Sequence, residues 1–142
     1  MQLQKKLQEG VLLRRYKRFL ADITNKEGES ITIHCPNTGS MKNCQEPGSR
    51  VWYSDSENPK RTYTCTWELV EVDGKHIVGI NTGLANKLVH EAITSNSIEE
   101  LTAYGSLRTE VAYGEQKSRI DLLLEGTARD LDALCYVEVK NV

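Results

Sequence analysis

The chain has 142 residues, 39% hydrophobic and 27% charged, with a formal net charge of −2. That apolar share suits one sound core or two small ones and excludes a disordered chain, and no apolar run nears the roughly eighteen residues that cross a membrane as a helix. The polar lead-in of residues 1–9 carries lysines but no apolar signal core, so the expected location is the cytoplasm.

The modest net charge hides an uneven distribution. Residues 1–62 hold 11 Lys and Arg against 7 Asp and Glu, whereas residues 63–142 hold 7 against 13. A basic first half suits contact with phosphates, and an acidic second half suits a cation that a phosphate could share. Cys35, Cys44, Cys65 and Cys135 form no C-x-x-C pair and no zinc spacing with His34, His76 or His90. Free thiols in a reducing compartment are expected.

In chain order, the run from Val11 to Ile23, VLLRRYKRFLADI, is the most basic patch. Read as one strand, it sets Arg15 and Lys17 on one face and Arg14, Tyr16 and Arg18 on the other, then sends Phe19, Leu20 and Ile23 into a core. Cations on both faces suit an edge strand protected by charge, or equally a phosphate-contacting strand with Tyr16 for stacking. Glu27-Gly28-Glu29 reads as a turn, followed by a half-buried strand in which Ile31, Ile33 and Cys35 alternate with polar residues. Pro36-Asn37-Thr38-Gly39-Ser40-Met41 is turn chemistry, either a plain tight loop or a nest of backbone N–H groups for an anion.

Pro47-Gly48 and Asn58-Pro59 punctuate strands at Arg50–Ser54 and Arg61–Val72, and Asp73-Gly74 turns the second into Lys75–Ile80. Short strands at such intervals suggest a small barrel. Trp52, Tyr63 and Trp67 are then barrel core or stacking platforms for bases. At Asn81-Thr82-Gly83 the period changes, dividing the chain into residues 1–82 and 83–142. Leu84, Ala85, Leu88, Val89, Ala92 and Ile93 recur at helical spacing behind a cap at Asn81 or Thr82, with Lys87 and His90 off the stripe and Glu91 at its edge.

Strands follow at Leu107–Tyr113, Ser118–Glu125 and Cys135–Val142. The link from Gly126 to Leu134 is too short for a helical crossover, so the last two are expected to be antiparallel neighbours. Pairing their core faces brings Asp121 beside Glu138 and Lys140, with Glu110 a further carboxylate and Arg119 nearby. Two carboxylates and an ammonium in the order D…(D/E)-x-K fit a phosphodiesterase site, in which Asp121 and Glu138 hold Mg²⁺ or Mn²⁺ and Lys140 activates water or offsets charge on phosphorus. The same residues also fit an ordinary charged strand face.

The phrases LLRRYKRFLAD, HCPNTGSM, SRIDLLL and YVEVKNV resemble, in matching order, the sugar fermentation stimulation protein family. The resemblance runs from about Gly10 to the last residue. It implies an α+β chain, with an N-terminal OB-like β-barrel followed by a partial PD-(D/E)xK nuclease-like α/β core. It also implies DNA as the partner, a regulatory role in sugar (maltose) metabolism, and a triad carried by Asp121, Glu138 and Lys140, with Arg14, Arg15, Lys17 and Arg18 as the DNA-contacting cations. Family members continue beyond the EVKNV strand, so a truncated chain is expected.

Overall fold

The computed structural model describes residues 5–141, and the chain divides after Gly83 into two compact units. In the first, strands β1 (Gln8–Tyr16), β2 (Leu20–Asn25), β3 (Ser30–His34), β4 (Arg50–Asp55) and β5 (Cys65–Val72) form a sheet in the order β3-β2-β1-β4-β5, and a parallel pairing of β3 with β5 closes it into a barrel. Strand β6 (His76–Gly79) extends β5 as a hairpin. Closure removes two sheet edges that would otherwise template pairing with another chain.

Alternation sorts the side chains of these strands. Leu12, Ile23, Ile33, Val51, Tyr53, Trp67 and Val70 fill the barrel, while Val11 and Leu13 remain exposed. Each large apolar side chain so buried contributes on the order of 1.5–3 kcal/mol, and the indole N–H of Trp67 is satisfied by the Leu69 carbonyl at 2.9 Å. Gly10 is required where β1 crosses the core: a Cβ there would lie 2.8 Å from the Thr24 carbonyl oxygen and 3.0 Å from Ile23 Cδ1.

Three sequence expectations are corrected in this unit. Val11–Ile23 is not one strand but a hairpin, β1 turning into β2 through Lys17 (φ 50°) and Arg18 (φ 65°), both in the left-handed region. Phe19 consequently sits on the turn at 44% exposure instead of entering the core. The strand read as starting at Arg61 starts at Cys65. The Asp73-Gly74 turn is present, with φ of 54° and 65°. Cys35, Cys44, Cys65 and Cys135 are free thiols.

Helix α1 (Thr82–Thr94) has its first turn tied by the Asn81 side-chain oxygen, which accepts the Gly83 N–H at 3.2 Å. In the second unit the rest of α1 is followed by a short 3₁₀ turn at Glu99–Leu101 and by strands β7 (Tyr104–Tyr113), β8 (Ser118–Thr127) and β9 (Leu134–Val137), antiparallel in the order β7-β8-β9. Ile93, Leu122 and Leu124 form its core, with Val89, Leu107, Cys135 and Val137 against them. Leu88, placed on the apolar stripe by its spacing, is 49% exposed. The last strand ends at Val137, so Glu138 and Lys140 follow β9 and do not lie within it; Val142 is outside the described residues.

Among the described residues no helix is long and apolar enough to cross a membrane.

Candidate functional site

Strand β8 is central in its sheet, so both of its neighbours set the surroundings of Asp121. Leu122 pairs with Val137 of β9 and with Thr109 of β7, while Ile120 pairs with Val111. Glu110 and Asp121 are the residues between these paired positions on β7 and β8, and Glu138 is the first residue past the end of β9. Glu110 holds a φ of 52° in mid-strand, a conformation costing a non-glycine residue about 1 kcal/mol or more.

Asp121 is half-buried and fully oriented. Its Oδ1 accepts from the Asn86 side-chain amide of α1 at 2.9 Å, and its Oδ2 accepts from the Val139 backbone N–H at 2.8 Å. The second bond explains why β9 stops: the carboxylate takes the N–H that the chain just past the strand end presents. Glu138 and Lys140 pair with each other in the solvent, their side chains 61% and 68% exposed. The hydrogen bond and charge of Glu138 raise the Lys140 ammonium above its ordinary value, and Asp121 adds to the rise. Asn86, Lys87 and His90 of α1 face Thr109, Glu110 and Asp121 across a hollow of about 210 Å³.

The donor set is one of hard carboxylate oxygens with lone pairs to spare, which fits Mg²⁺ or Mn²⁺. The carboxylates do not converge: among the described residues no three His, Cys, Asp or Glu side chains gather into a metal-holding group. Asn86 had no signal in the sequence, because an asparagine on the polar side of a helix announces no partner. Lys87 and His90 were legible only as residues off the apolar stripe. Glu91 and Arg119 are exposed on α1 and β8.

The four cations of the first unit differ in their engagements. Arg14 pairs with Asp22 at 2.8 Å, and its guanidinium carbon lies 4.4 Å from the centre of the Tyr16 ring. Burial alone would raise the Asp22 carboxyl, but hydrogen bonds from Thr32, Arg14 and Tyr16 and the Arg14 charge outweigh it and hold it low. Arg15 turns inward: Nη2 donates to the carbonyls of Arg18 (2.8 Å), Asn37 (2.9 Å) and Gly39 (2.9 Å). It therefore pins the Pro36–Met41 loop to the β1–β2 turn. In that loop the Gly39 N–H is taken by the Asn37 side chain at 2.9 Å, which removes one donor from the expected anion nest. Lys17 and Arg18 are exposed at the tip of the turn. Of the aromatic residues, Trp67 is core, while Trp52 and Tyr63 are half-buried.

A closed five-stranded barrel followed by a helix and a three-stranded antiparallel sheet defines an OB-type domain joined to a second, α+β unit. Residues 13–80 match the family model described as SfsA N-terminal OB domain, and residues 83–142 match that of the sugar fermentation stimulation protein RE domain. The chain belongs to the sugar fermentation stimulation protein family. It is 60% identical over 132 residues to the sugar fermentation stimulation protein homolog of Shewanella pealeana, covering 93% of this chain and 55% of that relative. It is also 60% identical over 142 residues to the homolog of Thioalkalivibrio sulfidiphilus, covering 100% of this chain and 58% of the relative. The chain thus spans little more than half the length of these curated relatives. Its fold is similar to a solved structure described as Pyrococcus furiosus SfsA in complex with Ca²⁺, with a TM-score of 0.76 and 24% identity over 97% of this chain and 56% of that one.

Proposed function

We propose that the protein binds DNA with little sequence preference through its basic barrel and holds Mg²⁺ or Mn²⁺ at Asp121 and Glu138, serving in the whole protein as a regulator of sugar (maltose) metabolism. The observation that carries the metal reading is the orientation of Asp121, whose two oxygens are fixed by the Asn86 amide and by the backbone N–H of Val139, the residue after Glu138. A carboxylate so restrained spends little further entropy on gripping a cation. The Ca²⁺ named for the Pyrococcus furiosus structure supports a hard divalent ion in this fold. When bound, such an ion would supply charge neutralisation and polarisation at a phosphate oxygen. Lys17 and Arg18, exposed at the tip of the β1–β2 turn while Arg14 is engaged by Asp22, are suited to meet phosphates, which give affinity without sequence information.

Calorimetry with Mn²⁺ tests the metal reading. Asp121→Asn and Glu138→Gln are each expected to lower the affinity while circular dichroism stays as in the wild type; equal affinity in all three proteins would remove the site. For DNA, Lys17→Ala and Arg18→Ala are each expected to flatten the slope of log affinity against log salt, by about one unit for every phosphate that the side chain neutralises in the wild type.

A second reading is favoured by one observation, the Lys140 ammonium held by Glu138 and raised in part by Asp121. A lysine so placed suits a metal-dependent phosphodiesterase, in which it would offset charge developing on phosphorus.

A further inference from the structure

A second hollow, on the barrel unit, has no part in the readings above. It measures about 230 Å³ and is lined by Lys6 from the chain entering β1, Gln8 and Glu9 of β1, Lys26 and Glu27 of the β2–β3 turn, and Trp52 of β4. We propose that it is a subsite for a single unstacked nucleobase, with Trp52 as the stacking surface and Lys6 and Lys26 meeting the phosphate beside that base. The inference rests on the nucleic-acid reading above and narrows it to single strands.

Trp52 differs from the barrel's other tryptophan in the direction its strand gives it. Its neighbours Val51 and Tyr53 are buried in the core, whereas Trp52 is half-buried and pairs with Glu9 on β1 and Leu69 on β5. Arg50, two residues earlier, sets its guanidinium carbon 4.9 Å from the indole centre, and that guanidinium is itself braced by Glu9 at 2.9 Å and Glu71 at 3.7 Å. The ring is thereby held in place before any ligand arrives, and a preordered aromatic binds with less loss of entropy than a mobile one.

The hollow's polar groups suit the edge of a base and its phosphate. The Gln8 side-chain oxygen accepts from the Tyr53 hydroxyl at 3.4 Å, which leaves its amide N–H groups to donate. Lys26 lies 4.0 Å from Glu9 with its side chain 70% exposed, and Lys6 is exposed. Glu9 is already matched by Arg50, so the carboxylate that repels phosphate is Glu27, which directs the backbone to the lysine side. The volume falls below the roughly 300–1,000 Å³ of pockets for drug-sized ligands, so one ring system is the scale it accepts. A duplex keeps its bases stacked and offers none.

Tryptophan emission reads the site directly, because Trp67 is buried with its N–H bonded and Trp52 alone is accessible. The protein is titrated with a twelve-nucleotide oligothymidine, the same backbone without bases, the matching duplex and thymidine monophosphate. The oligothymidine is expected to quench emission and to bind about tenfold more tightly than the abasic strand and the duplex. Trp52→Leu is expected to abolish quenching and to weaken oligothymidine binding about tenfold, with binding of the abasic strand unchanged, and Trp52→Phe to restore most of the affinity. Thymidine monophosphate quenching as strongly as the oligomer would support the subsite and assign it to free nucleotides. Equal oligothymidine affinity for wild type and Trp52→Leu, without quenching, would overturn the subsite and leave nucleic-acid binding standing. No binding of any strand and no quenching by the mononucleotide would overturn both.

Discussion

Replacing Arg15 with Ala separates a structural cation from the binding cations around it. The guanidinium nitrogen Nη2 carries two N–H groups and meets three carbonyls at 2.8–2.9 Å, so it supplies about two full hydrogen bonds from a charged donor. Each such bond is worth about 1.5–3 kcal/mol net when buried, and the exposure of two of these contacts discounts both ends of the sum, so Arg15→Ala is expected to cost the barrel about 2–4 kcal/mol. Lys17→Ala and Arg18→Ala remove exposed charges while leaving the turn's carbonyls in place, and each is expected to change stability by no more than about 0.5 kcal/mol. Urea titrations followed by tryptophan emission compare the midpoints at constant slope. An Arg15→Ala midpoint indistinguishable from those of the other two variants would refute the clamp and return Arg15 to the group of surface cations.

Three further outcomes are expected. Lys140→Ala in a phosphodiesterase would leave DNA affinity nearly unchanged and reduce hydrolysis by about 10²–10⁴-fold, measured with Mn²⁺ on single- and double-stranded DNA; cleavage that survives the replacement would assign the chemistry to another group. Leu122→Ala, at the centre of the β8 core, is expected to destabilise the second unit by about 2–5 kcal/mol in denaturant titrations, and a loss under 1 kcal/mol would contradict its packing. Burial, then the Arg61 charge, holds His34 below its ordinary value of 6.5. The unfolded chain therefore takes up this proton first, so barrel stability is full above about pH 6.5 and falls as the pH drops from there towards the lower folded value. A His34→Gln barrel with the same slope in that window would exclude this histidine as the cause.

The elements that the sequence made legible were those punctuated by residues with a backbone reason to turn. Gly28 and the Asp73-Gly74 pair mark real turns because glycine and aspartate tolerate the left-handed region. The Lys17-Arg18 turn adopts that region with two long cations, which no propensity would nominate, so the hairpin has the sequence pattern of one strand. The end of β9 was hidden for a different reason: the alternation of Val137, Val139 and their charged neighbours is strand-like, but a side chain, Asp121, takes the next N–H. The antiparallel pairing of β8 with β9 followed from strand period and a short link, both local properties. Asn86 did not, since its bond to Asp121 depends on how a helix lies against a sheet 35 residues away.

The barrel's strands are joined unequally. The β1–β2 ladder has six paired positions and β4–β5 has five, whereas among the described residues β3 meets β5 only where His34 pairs with Thr66. In mechanical terms the barrel is a belt with one clasp, and thermal motion undoes a belt at its clasp before it tears the leather. Amide exchange along β3 and the first residues of β5 therefore proceeds by a local opening that leaves the Trp67 core shut. The clasp also contains the histidine whose protonation the fold resists, so acid is expected to act on the barrel at this fastening.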